Sequence, residues 1–438
     1  MLRKLVKLII PVGVFRAIEP TGHLLEAVFW NVLLGFPARG LKVIGVTGTD
    51  GKTTTSTMIY TMLNDAGIKT GLMTTIGYGV PGAWRDNHVH MTTMQTKPML
   101  ERIRELRRQG IEWLVLETTS HALAQHRVWG IPYSVAVVTN ITHEHLDYHG
   151  TYERYREAKL LLFRQVATGR GLKVGIINAD DSSAPYCMAT GVRPVTYGIA
   201  AASADLRARD VRSGAAGSTY RVKLDGRLVT VHVHLPGSFN VLNSLAAAAV
   251  GQNLGLSAEQ IVHGIGALKT VEGRMNQIDE GQDFAVIVDF AHTPDSFDKI
   301  LASMRELTQG RLIVMFGSAG RRDVSKRAKQ GAIAGKWADV VVVTEEDDRD
   351  VDGQEIMDQI AGGAENAGKL RDQDLYLVHD RTEAIAFAIA QTRPGKGDTV
   401  LLLGKGHEKT IERADGEHPW DELGTARMAV RERLTATK

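Results

Sequence analysis

At 438 residues the chain is too long for one ordinary hydrophobic core, so we expect two or three domains. Its content of 43% hydrophobic and 23% charged residues is typical of a globular protein, and a net charge of +2 excludes the basic surface of a nucleic-acid-binding protein. The single cysteine, Cys187, excludes an intramolecular disulfide framework and a zinc ribbon, which fits a reducing cytoplasm.

The N-terminal residues 1–40 predict a short helical arm that is apolar and basic. Two apolar stretches, Leu5–Phe15 and His23–Phe36, are separated by Glu19–Gly22, and each is shorter than the ~20 residues that a membrane-spanning helix requires. Two interpretations stay open: an arm packed on the protein, or a peripheral contact of residues 1–36 with the inner face of a membrane. The basic residues that suit an anionic lipid surface are Arg3, Lys4, Lys7 and Arg16.

Apolar runs that alternate with helical segments predict a central domain with a mainly parallel sheet over residues 41–272. Its first run, Leu41–Val46, ends in a glycine-rich turn, and helical composition follows over Thr53–Ala66. Residues 219–235 instead alternate around Asp225-Gly226, which predicts an antiparallel hairpin at the margin of this domain. The other apolar runs are Trp113–Leu116, Ser134–Val138 and Val174–Ile177.

A second series of strands and helices predicts a C-terminal, Rossmann-like α/β domain over residues 273–438, after a helical Leu256–Leu268. A polar cluster follows each of its apolar runs. In open α/β sheets ligands bind beyond the carboxyl ends of the strands, so these clusters predict a binding site. The runs are Phe284–Val288, Leu312–Phe316, Val340–Val343, Leu375–Val378 and Val400–Leu403.

The segment Gly45–Thr53, which we call the phosphate loop, follows a strand and opens a helix, as the P-loop of an ATP-binding domain does. Lys52 would neutralise the β- and γ-phosphates, and the Thr53 hydroxyl would bind Mg²⁺. Val46 stands where the general pattern has its first glycine, and the chain has no Asn-Lys-x-Asp guanine motif, which disfavours a generic GTPase. The expected nucleotide contacts are Gly48, Thr49, Asp50, Gly51, Lys52, Thr53 and Thr54.

Two further segments suggest a metal site. Glu117 directly follows an apolar run, and a carboxylate there can bind Mg²⁺ directly or through water. Residues 143–149 contain three histidines and two acids, which indicates metal ligation or phosphate contact. Zinc is the alternative, but no cysteine lies nearby and a nucleotide loop is present, so we expect magnesium.

The segment Thr139–Gly150, which runs into Tyr152–Phe163, resembles the part of the Mur ligase family that carries a metal-binding histidine and a carbamylated lysine. His145 matches the histidine and Lys159 the lysine. Composition alone predicts that Lys159 is a solvated lysine on a helix. The resemblance implies instead that its carbamate supplies a Mg²⁺ ligand, beside Thr53, Glu117 and His145.

Five more segments, in the same order along the chain, resemble motifs of the MurE-like branch of this family. The resemblance implies that Asn240 and Asn243 hold the adenine. It also implies that Asp289 binds the ribose with His292 beside it, and that Arg274 reaches the phosphates. The segments are Glu117–Arg127, Gly237–Asn243, Gly273–Met275, Asp289–Pro294 and Gly404–Glu408.

The resemblance implies an ATP-dependent ligase that adds an amino acid to a cell-wall precursor peptide through an acyl phosphate. Lys52, Mg²⁺ and Arg274 would offset the charge of the transferring phosphoryl group, with His145 and Lys159 at the metal. Closure of the C-terminal domain would complete the site, and we expect a monomer. The alternatives are a folylpolyglutamate-type or other peptide-extending ligase, and a non-catalytic protein that binds nucleotide and precursor.

The two substrates are less well defined. Glu346–Arg349 stands where MurE-like enzymes that use diaminopimelate carry Asp-Asn-Pro-Arg; Arg349 would clamp a carboxylate, but the extra acids favour lysine, so both acceptors stay open. Residues 1–40 are too few for the uridine-nucleotide-binding domain of MurE-like enzymes, so nucleotide-linked, lipid-linked and free donors stay open. The predicted substrate contacts are Thr74, Thr75, Thr92, Thr93, Ser120, Arg127, Arg322, Asp347, Arg349, Gly404 and Glu408.

Overall fold

The structure, a computed structural model, describes residues 12–87, 91–214 and 216–436. It confirms the predicted α/β class, with one large, mostly parallel sheet and a second sheet in the C-terminal part. The chain divides into two compact units. The first contains the residues up to Val211, Thr219–Val233 and Asn240–Leu268, and the second contains Arg212–Ser218, His234–Phe239 and Lys269 onward.

The helices of the described residues are numbered here in chain order. The longest has 22 residues, and several are single turns. They are α1 Val12–Leu33, α2 Lys52–Asp65, α3 Thr96–Arg108, α4 Ser120–Ala124, α5 Leu146–His149, α6 Tyr152–Thr168, α7 Ala184–Met188, α8 Ser238–Asn253, α9 Ala258–Ala267, α10 Pro294–Leu307, α11 Ser325–Trp337, α12 Gly353–Asn366, α13 Arg381–Ala390 and α14 Glu422–Ala436.

The strands of the described residues are numbered in the same way. They are β1 Lys42–Thr47, β2 Thr70–Met73, β3 Gly77–Val80, β4 Ala83–Asp86, β5 Trp113–Glu117, β6 Tyr133–Val138, β7 Val174–Asn178, β8 Arg193–Gly198, β9 Leu206–Arg207, β10 Arg209–Gly214, β11 Gly217–Leu224, β12 Arg227–Val233, β13 Asn276–Ile278, β14 Ala285–Asp289, β15 Leu312–Phe316, β16 Val340–Val343, β17 Leu375–Leu377, β18 Thr399–Leu403, β19 Thr410–Arg413 and β20 Gly416–Pro419.

The first sheet has the order β4-β3-β2-β5-β1-β6-β7-β8-β9. Strand β3 is antiparallel to both of its neighbours, β2 and β4. The seven strands β2, β5, β1, β6, β7, β8 and β9 are parallel to one another. One face packs against α3, α4 and α6, while α2 contacts β1, β2 and β5. Because β1 lies between β5 and β6, the segments that follow these three strands meet at one edge of the sheet.

The second sheet has the order β13-β14-β18-β15-β16-β17, and only β13 is antiparallel to its neighbour. One face is covered by α10, α11 and α12, and the other by α13 and α14. Coverage of both faces explains why its strands are continuous apolar runs, without the alternation of a half-exposed sheet.

The hairpin predicted around Asp225-Gly226 is formed by β11 and β12, with β10 as a third strand. Asp225 and Gly226 have φ of +48° and +78°, as the two central residues of a type I′ turn require.

Helix α1 runs without a break through Pro20, one of the residues between the two apolar stretches. The fixed φ of proline is compatible with a helix, so here the ring removes one N–H donor without ending the helix. Among the described residues, no helix is both long enough and apolar enough to cross a membrane.

The C-terminal end of α1 packs against the first unit through a few specific contacts. Asn31 is fully buried and its Nδ2 donates to the Trp129 carbonyl at 3.1 Å. The Lys97 ammonium lies 4.7 Å from the centre of the Trp30 ring. The opposite face of the helix is apolar and 58–66% exposed; we call it the α1 apolar face, and it consists of Leu25, Phe29, Val32 and Leu33.

Candidate active site

The phosphate loop, Gly45–Thr53, turns sharply between β1 and α2. Gly51 has φ of +79°, and a Cβ at this position would collide with the amide of Asn243. The Lys52 ammonium folds back and donates to the Thr49 carbonyl at 2.7 Å. The N-cap residue of α2 is Gly51, which makes no side-chain capping hydrogen bond. The N-terminus of a helix is a favourable position for an anion.

The segment after β6 holds this loop in place. The Asp50 N–H donates to Asn140 Oδ1 at 3.0 Å, and the Thr139 hydroxyl donates to the Asp50 carbonyl at 2.6 Å. The Thr49 N–H donates to the Asn140 carbonyl at 2.8 Å. The loop is therefore fixed by hydrogen bonds from a neighbouring strand end, which is the preorganisation that an anion site requires.

Glu117 is the last residue of β5, and its carboxylate is buried at the edge of the sheet beside the phosphate loop. Its Oε2 accepts hydrogen bonds of 3.0 Å from the Thr53 hydroxyl and from both the N–H and the hydroxyl of Thr75. The Thr75 hydroxyl lies 3.1 Å from that of Thr92. The structure thus brings together four of the residues that the sequence singled out.

Lys159 lies in α6 and is only 2% exposed, although composition alone predicted a solvated lysine. Its ammonium donates to the Gly48 carbonyl at 2.6 Å and lies 4.5 Å from the centre of the Tyr155 ring. Burial, together with the nearby charge of Lys52, lowers the pKa of Lys159 well below its usual range. The lowered pKa makes the ammonium easier to deprotonate to the nucleophilic amine than that of a solvated lysine.

His145 is the N-cap residue just before α5 and has a left-handed conformation, with φ of +56°. Its ring packs edge-on against His121, with ring centres 4.7 Å apart, and His121 lies 5.3 Å from His149. The Nε2 of His149 lies 3.1 Å from the buried Ser120 hydroxyl. In the part of the chain that the structure describes, no three His, Cys, Asp or Glu side chains form a ready-made metal site.

Thr93 and Arg127 lie beside Glu117 and bond mainly to backbone. The Thr93 hydroxyl donates to the Glu117 carbonyl at 2.9 Å, and Arg127 donates from one terminal nitrogen to the carbonyls of Thr93 and Met94. Thr74 is buried, and its hydroxyl donates to a backbone carbonyl 3.3 Å away. The assignment of these side chains to substrate stays a prediction.

Asn240 and Asn243 are buried in α8 and face the phosphate-loop helix. Asn243 Nδ2 donates to Asn240 Oδ1 at 3.0 Å, and the Thr55 hydroxyl donates to Asn243 Oδ1 at 3.1 Å. Thr54 is also buried, in the first turn of α2. The predicted adenine-binding amides therefore lie next to the predicted phosphate site.

Arg274 belongs to the second unit, and its guanidinium lies 4.5 Å from the centre of the Phe290 ring. The Phe290 ring is in turn 4.9 Å from that of His407. Burial, and then the nearby charge of Arg274, lowers the pKa of His407 to about 3. A cation–aromatic stack thus fixes the arginine on the loops after β14 and β18.

Asp289 ends β14, and backbone amides satisfy both of its carboxylate oxygens. Oδ2 accepts from the Met275 N–H at 2.8 Å and Oδ1 from the Ala291 N–H at 2.7 Å. His292 Nδ1 lies 2.9 Å from the Phe290 carbonyl. A carbonyl can only accept a hydrogen bond, so Nδ1 carries the hydrogen of the neutral imidazole. Burial lowers the pKa of His292 to about 3, so the ring is neutral.

The predicted acceptor residues converge at the carboxyl edge of the second sheet. Lys405 is fully buried, and its ammonium lies 2.8 Å from Asp347 Oδ1 and 2.7 Å from Glu408 Oε2. Arg349 Nε donates to Glu412 Oε2 at 2.7 Å. Arg322 is exposed, and Gly404 adopts φ of +104° at the end of β18.

Two residues of this site had no assigned role in the sequence analysis. The Tyr155 hydroxyl lies 3.0 Å from the Thr49 hydroxyl and ties α6 to the phosphate loop. Lys405 joins two predicted acceptor contacts. Tyr155 precedes Lys159 by one helical turn, and Lys405 follows Gly404, so both lie next to residues that the sequence analysis had singled out. Their partners could not be predicted, because these lie far away in the sequence.

The chain matches the description "Mur ligase middle domain" over residues 46–251 and "Mur ligase, glutamate ligase domain" over residues 273–406. A UDP-N-acetylmuramyl-tripeptide synthetase of Roseiflexus sp. (strain RS-1) is 39% identical over 437 residues, which is 97% of this chain and 84% of the relative. The chain belongs to the Mur ligase family. It is therefore an ATP-dependent ligase.

Two further relatives of this Mur ligase carry a more specific name. A UDP-N-acetylmuramoyl-L-alanyl-D-glutamate–2,6-diaminopimelate ligase of Geobacillus kaustophilus (strain HTA426) is 39% identical over 412 residues, which cover 93% of this chain and 82% of the relative. A solved structure of a protein with the same name is 29% identical and has a TM-score of 0.64. The match covers 95% of this chain and 83% of the other.

Proposed function

We propose that this Mur ligase joins an amino acid to the peptide of a peptidoglycan precursor, with ATP as the energy source and Mg²⁺ as the metal. The observation that most directly supports this proposal is that four side chains lie around the phosphate loop: Lys52, Thr53, Glu117 and the buried Lys159. The names of its relatives, which are tripeptide synthetases and diaminopimelate ligases, support the same conclusion.

The oxygen ligands present fit magnesium. Thr53 Oγ1 and Glu117 Oε2 are 3.0 Å apart, which matches the separation of about 3.0 Å between adjacent ligands of an octahedral ion with bonds of about 2.1 Å. Magnesium keeps several waters and takes few protein ligands, which agrees with a site that has one buried carboxylate. When bound, the ion would neutralise charge on the β- and γ-phosphates.

The environment of Lys159 fits the carbamate that the resemblance implies. Its lowered pKa favours loss of a proton from the ammonium, and the resulting amine can attack carbon dioxide, forming an N–C bond and releasing a further proton. The resulting carboxylate would reverse the sign of the charge beside Lys52 and add an oxygen ligand for the metal. The Gly48 carbonyl would then no longer accept from an ammonium, but from the remaining N–H.

The reaction proposed is a two-step acyl transfer. A carboxylate oxygen of the donor peptide bonds to the γ-phosphorus as the bond from that phosphorus to ADP breaks. The acceptor amine then attacks the acyl carbon, the carbon–oxygen bond to phosphate breaks, and the amine loses a proton. Lys52 and Arg274 would offset the charge on the transferred phosphoryl group.

We also propose that α1 rests on an anionic membrane surface from the cytoplasmic side. The α1 apolar face carries no charged residue and is more than half exposed, and the sequence before it is basic. Apolar side chains at the acyl boundary together with Lys and Arg near anionic headgroups are the usual basis of such a contact. A lipid-linked donor would be compatible with this location.

One assay tests the proposed function. ADP release and product mass are measured for a panel of amino acids with UDP-linked, lipid-linked and free acyl-dipeptide donors, and with a folyl donor. Lys52→Met should lower kcat roughly 100-fold or more, because a charge on the transferring phosphoryl group loses its partner. Lys42→Met, an exposed lysine at the start of β1, is the matched control and should retain full activity.

The proposed ligase function would be contradicted if none of the donors supported ADP release that depends on an amino acid. Turnover with the folyl donor alone would favour a folylpolyglutamate-type ligase. ATP binding without turnover, in an undamaged protein, would favour a non-catalytic precursor-binding protein.

A further inference from the structure

Residues 139–142, here called the brace, follow β6 and hold the phosphate loop, although they belong to no helix or strand. The Asn140 side chain accepts from the Asp50 N–H at 3.0 Å. The Thr142 N–H donates to the Thr49 hydroxyl at 2.9 Å. Because the brace has no regular secondary structure of its own, it can fix the loop only if other elements fix the brace.

Asp181, in the turn after β7, is one such contact. Its Oδ2 accepts from the Ile141 N–H at 3.1 Å, and its Oδ1 accepts from the Ser183 N–H at 2.9 Å and from the Ser183 hydroxyl. One oxygen therefore orders the turn itself, and the other reaches the brace. Among the residues that the structure describes, Asp181 has no ion-pair partner, so its hydrogen bonds go to two backbone N–H groups and one hydroxyl.

Two more side chains hold the same segment. Asn178, the last residue of β7, is buried, and its Nδ2 donates to the Thr139 carbonyl at 2.7 Å. The Tyr152 hydroxyl, at the start of α6, donates to the Ile141 carbonyl at 3.0 Å. Since Asp181 accepts from the Ile141 N–H, both backbone groups of Ile141 are bound on the side away from the phosphate loop. The brace is therefore held by β7 and α6 and in turn holds the loop.

The neighbouring acid, Asp180, makes similar hydrogen bonds in a different place. Its carboxylate accepts from the N–H groups of Ile199, Ala200 and Ala201 at 2.7–3.2 Å. These three residues follow β8 and do not belong to the brace. Two adjacent acids thus order two different loops, and within the described residues it is Asp181 whose carboxylate is hydrogen-bonded to the brace.

An anion site built from backbone N–H groups depends on the orientation of its peptide planes. A glycine-rich loop has more conformations available than an ordinary loop. The apparent Kd of a ligand rises as the fraction of the protein in the binding-competent arrangement falls. Loss of the Asp181 carboxylate would therefore weaken nucleotide binding without removing any of the predicted nucleotide contacts.

We propose that Asp181 is a positioning residue for the nucleotide. Through the Ile141 N–H it holds the brace, and through the brace it holds the phosphate loop in its phosphate-binding arrangement. Asn178 acts on the same segment from the end of β7. This inference rests on the proposed function, because it concerns the nucleotide site of the same ligase.

The test measures the affinity of the full chain for ADP, in the presence of Mg²⁺, by calorimetric titration. Asp181→Ala should raise the Kd for ADP roughly three- to tenfold, the fold-change that corresponds to one hydrogen bond. The KM for ATP should rise with it, while the kcat at saturating ATP and the KM for the amino acid stay within about twofold. A merely structural loss of folded enzyme would instead lower the kcat and leave both KM values unchanged.

Asp180→Ala is the matched control, because Asp180 is the adjacent acid and orders the loop after β8. It should leave the Kd for ADP within about twofold. Asn178→Ala, which releases the brace at the Thr139 carbonyl, should raise this Kd in the same direction as Asp181→Ala and tests the brace through a second residue. Thermal unfolding of each variant sets a titration temperature at which all of them are folded.

Unchanged ADP binding by Asp181→Ala would overturn the inference and leave the proposed ligation intact. Equal weakening by Asp180→Ala and Asp181→Ala would also overturn it, because a general loosening of the turn after β7 would explain both. A lower kcat at an unchanged Kd for ADP would assign Asp181 a structural role instead. Failure of the wild-type protein to bind ADP, or to release it with any donor and amino acid, would remove the proposed function itself, so the two failures are distinguishable.

Discussion

Burial changes the pKa values of single side chains in this Mur ligase relative to those of the same side chains in water. The pKa of Lys159 is lowered because its ammonium lies in a buried site, and next because Lys52 is nearby. For a lysine, a lowered pKa means that the charged form is destabilised by folding, so the pKa shift disfavours folding at pH values below the lysine's ordinary pKa. Such a residue is retained at a cost, which is expected of a functional group.

The first prediction concerns Lys159. Lys159→Ala should be inactive within the limit of the assay and partly rescued by formate or acetate, because a small carboxylate can occupy the place of the lost carbamate. With ¹³C-bicarbonate, the wild-type protein should give a carbamate carbon signal that the variant lacks. Arg154→Ala, at an exposed cation of the same helix, is the control and should keep both the signal and the activity. Full activity of unrescued Lys159→Ala would contradict the assignment.

The second prediction concerns Glu117. Glu117→Gln should shift the Mg²⁺ dependence of ADP release roughly 10–100-fold to higher concentration, because an amide is a neutral and weaker ligand for a hard cation. Titration of Mg²⁺ at fixed ATP measures the shift. Glu112→Gln, at an exposed glutamate just before β5, should leave the titration curve unchanged. An unaltered curve for Glu117→Gln would place the metal elsewhere.

At the residue scale, sequence reasoning worked where a residue and its neighbours lie in one motif. Thr53 and Glu117 were singled out separately, each from its position after an apolar run, and the sheet brings them to 3.0 Å. The pairing of Lys405 with Asp347 joins residues 58 positions apart, and that of Arg349 with Glu412 joins residues 63 apart. No local pattern encodes such pairs, since they depend on how strands β16, β18 and β19 are placed.

At the element scale, continuous apolar runs located the buried strands to within one or two residues, as β15 and β16 illustrate. They did not reveal β3 and β4, which are four residues each; Gly77–Val80 contains two glycines, and Ala83–Asp86 has no buried residue. Pro20 lies inside α1, where it does not end the helix. Short edge strands and tolerated prolines depend on tertiary contacts that a single sequence does not display.

The third prediction belongs to α1. In flotation assays with vesicles that contain about one-third anionic lipid, the wild-type protein should float. Phe29→Ser/Val32→Ser should reduce the bound fraction severalfold, because the apolar area available for burial falls. Lys97→Ser, which alters the packed side of the helix near Trp30, is a control of similar chemistry and should still float.

Salt separates the two contributions to this contact. Binding that disappears between about 0.1 and 0.5 M salt in both proteins would assign the contact to charge alone, since screening weakens electrostatic attraction. Equal flotation of wild type and the double variant at all salt concentrations, or no flotation of either, would contradict the role of the α1 apolar face.

At the scale of the whole molecule, each of the two units has its own sheet and hydrophobic core. Lys52, a proposed nucleotide contact, lies in the first unit, and the predicted acceptor contacts Asp347, Arg349 and Glu408 lie in the second. Since ligands stabilise the unit that binds them, unfolding should report this division of labour.

The last prediction follows from that division. Scanning calorimetry should resolve two unfolding transitions, as expected when separate cores melt independently. The acceptor amino acid at about 100 times its Kd should stabilise only one of them, by about 2.7 kcal/mol, which identifies the second unit. A non-hydrolysable ATP analogue with Mg²⁺ should raise the other transition, because Lys52 and Thr53 belong to the first unit. Lys52→Met should remove the effect of the analogue, while Arg427→Ala, at an exposed arginine of the second unit, should leave both ligand effects unchanged. A single transition that both ligands shift equally would show that the units unfold together and would refute the division.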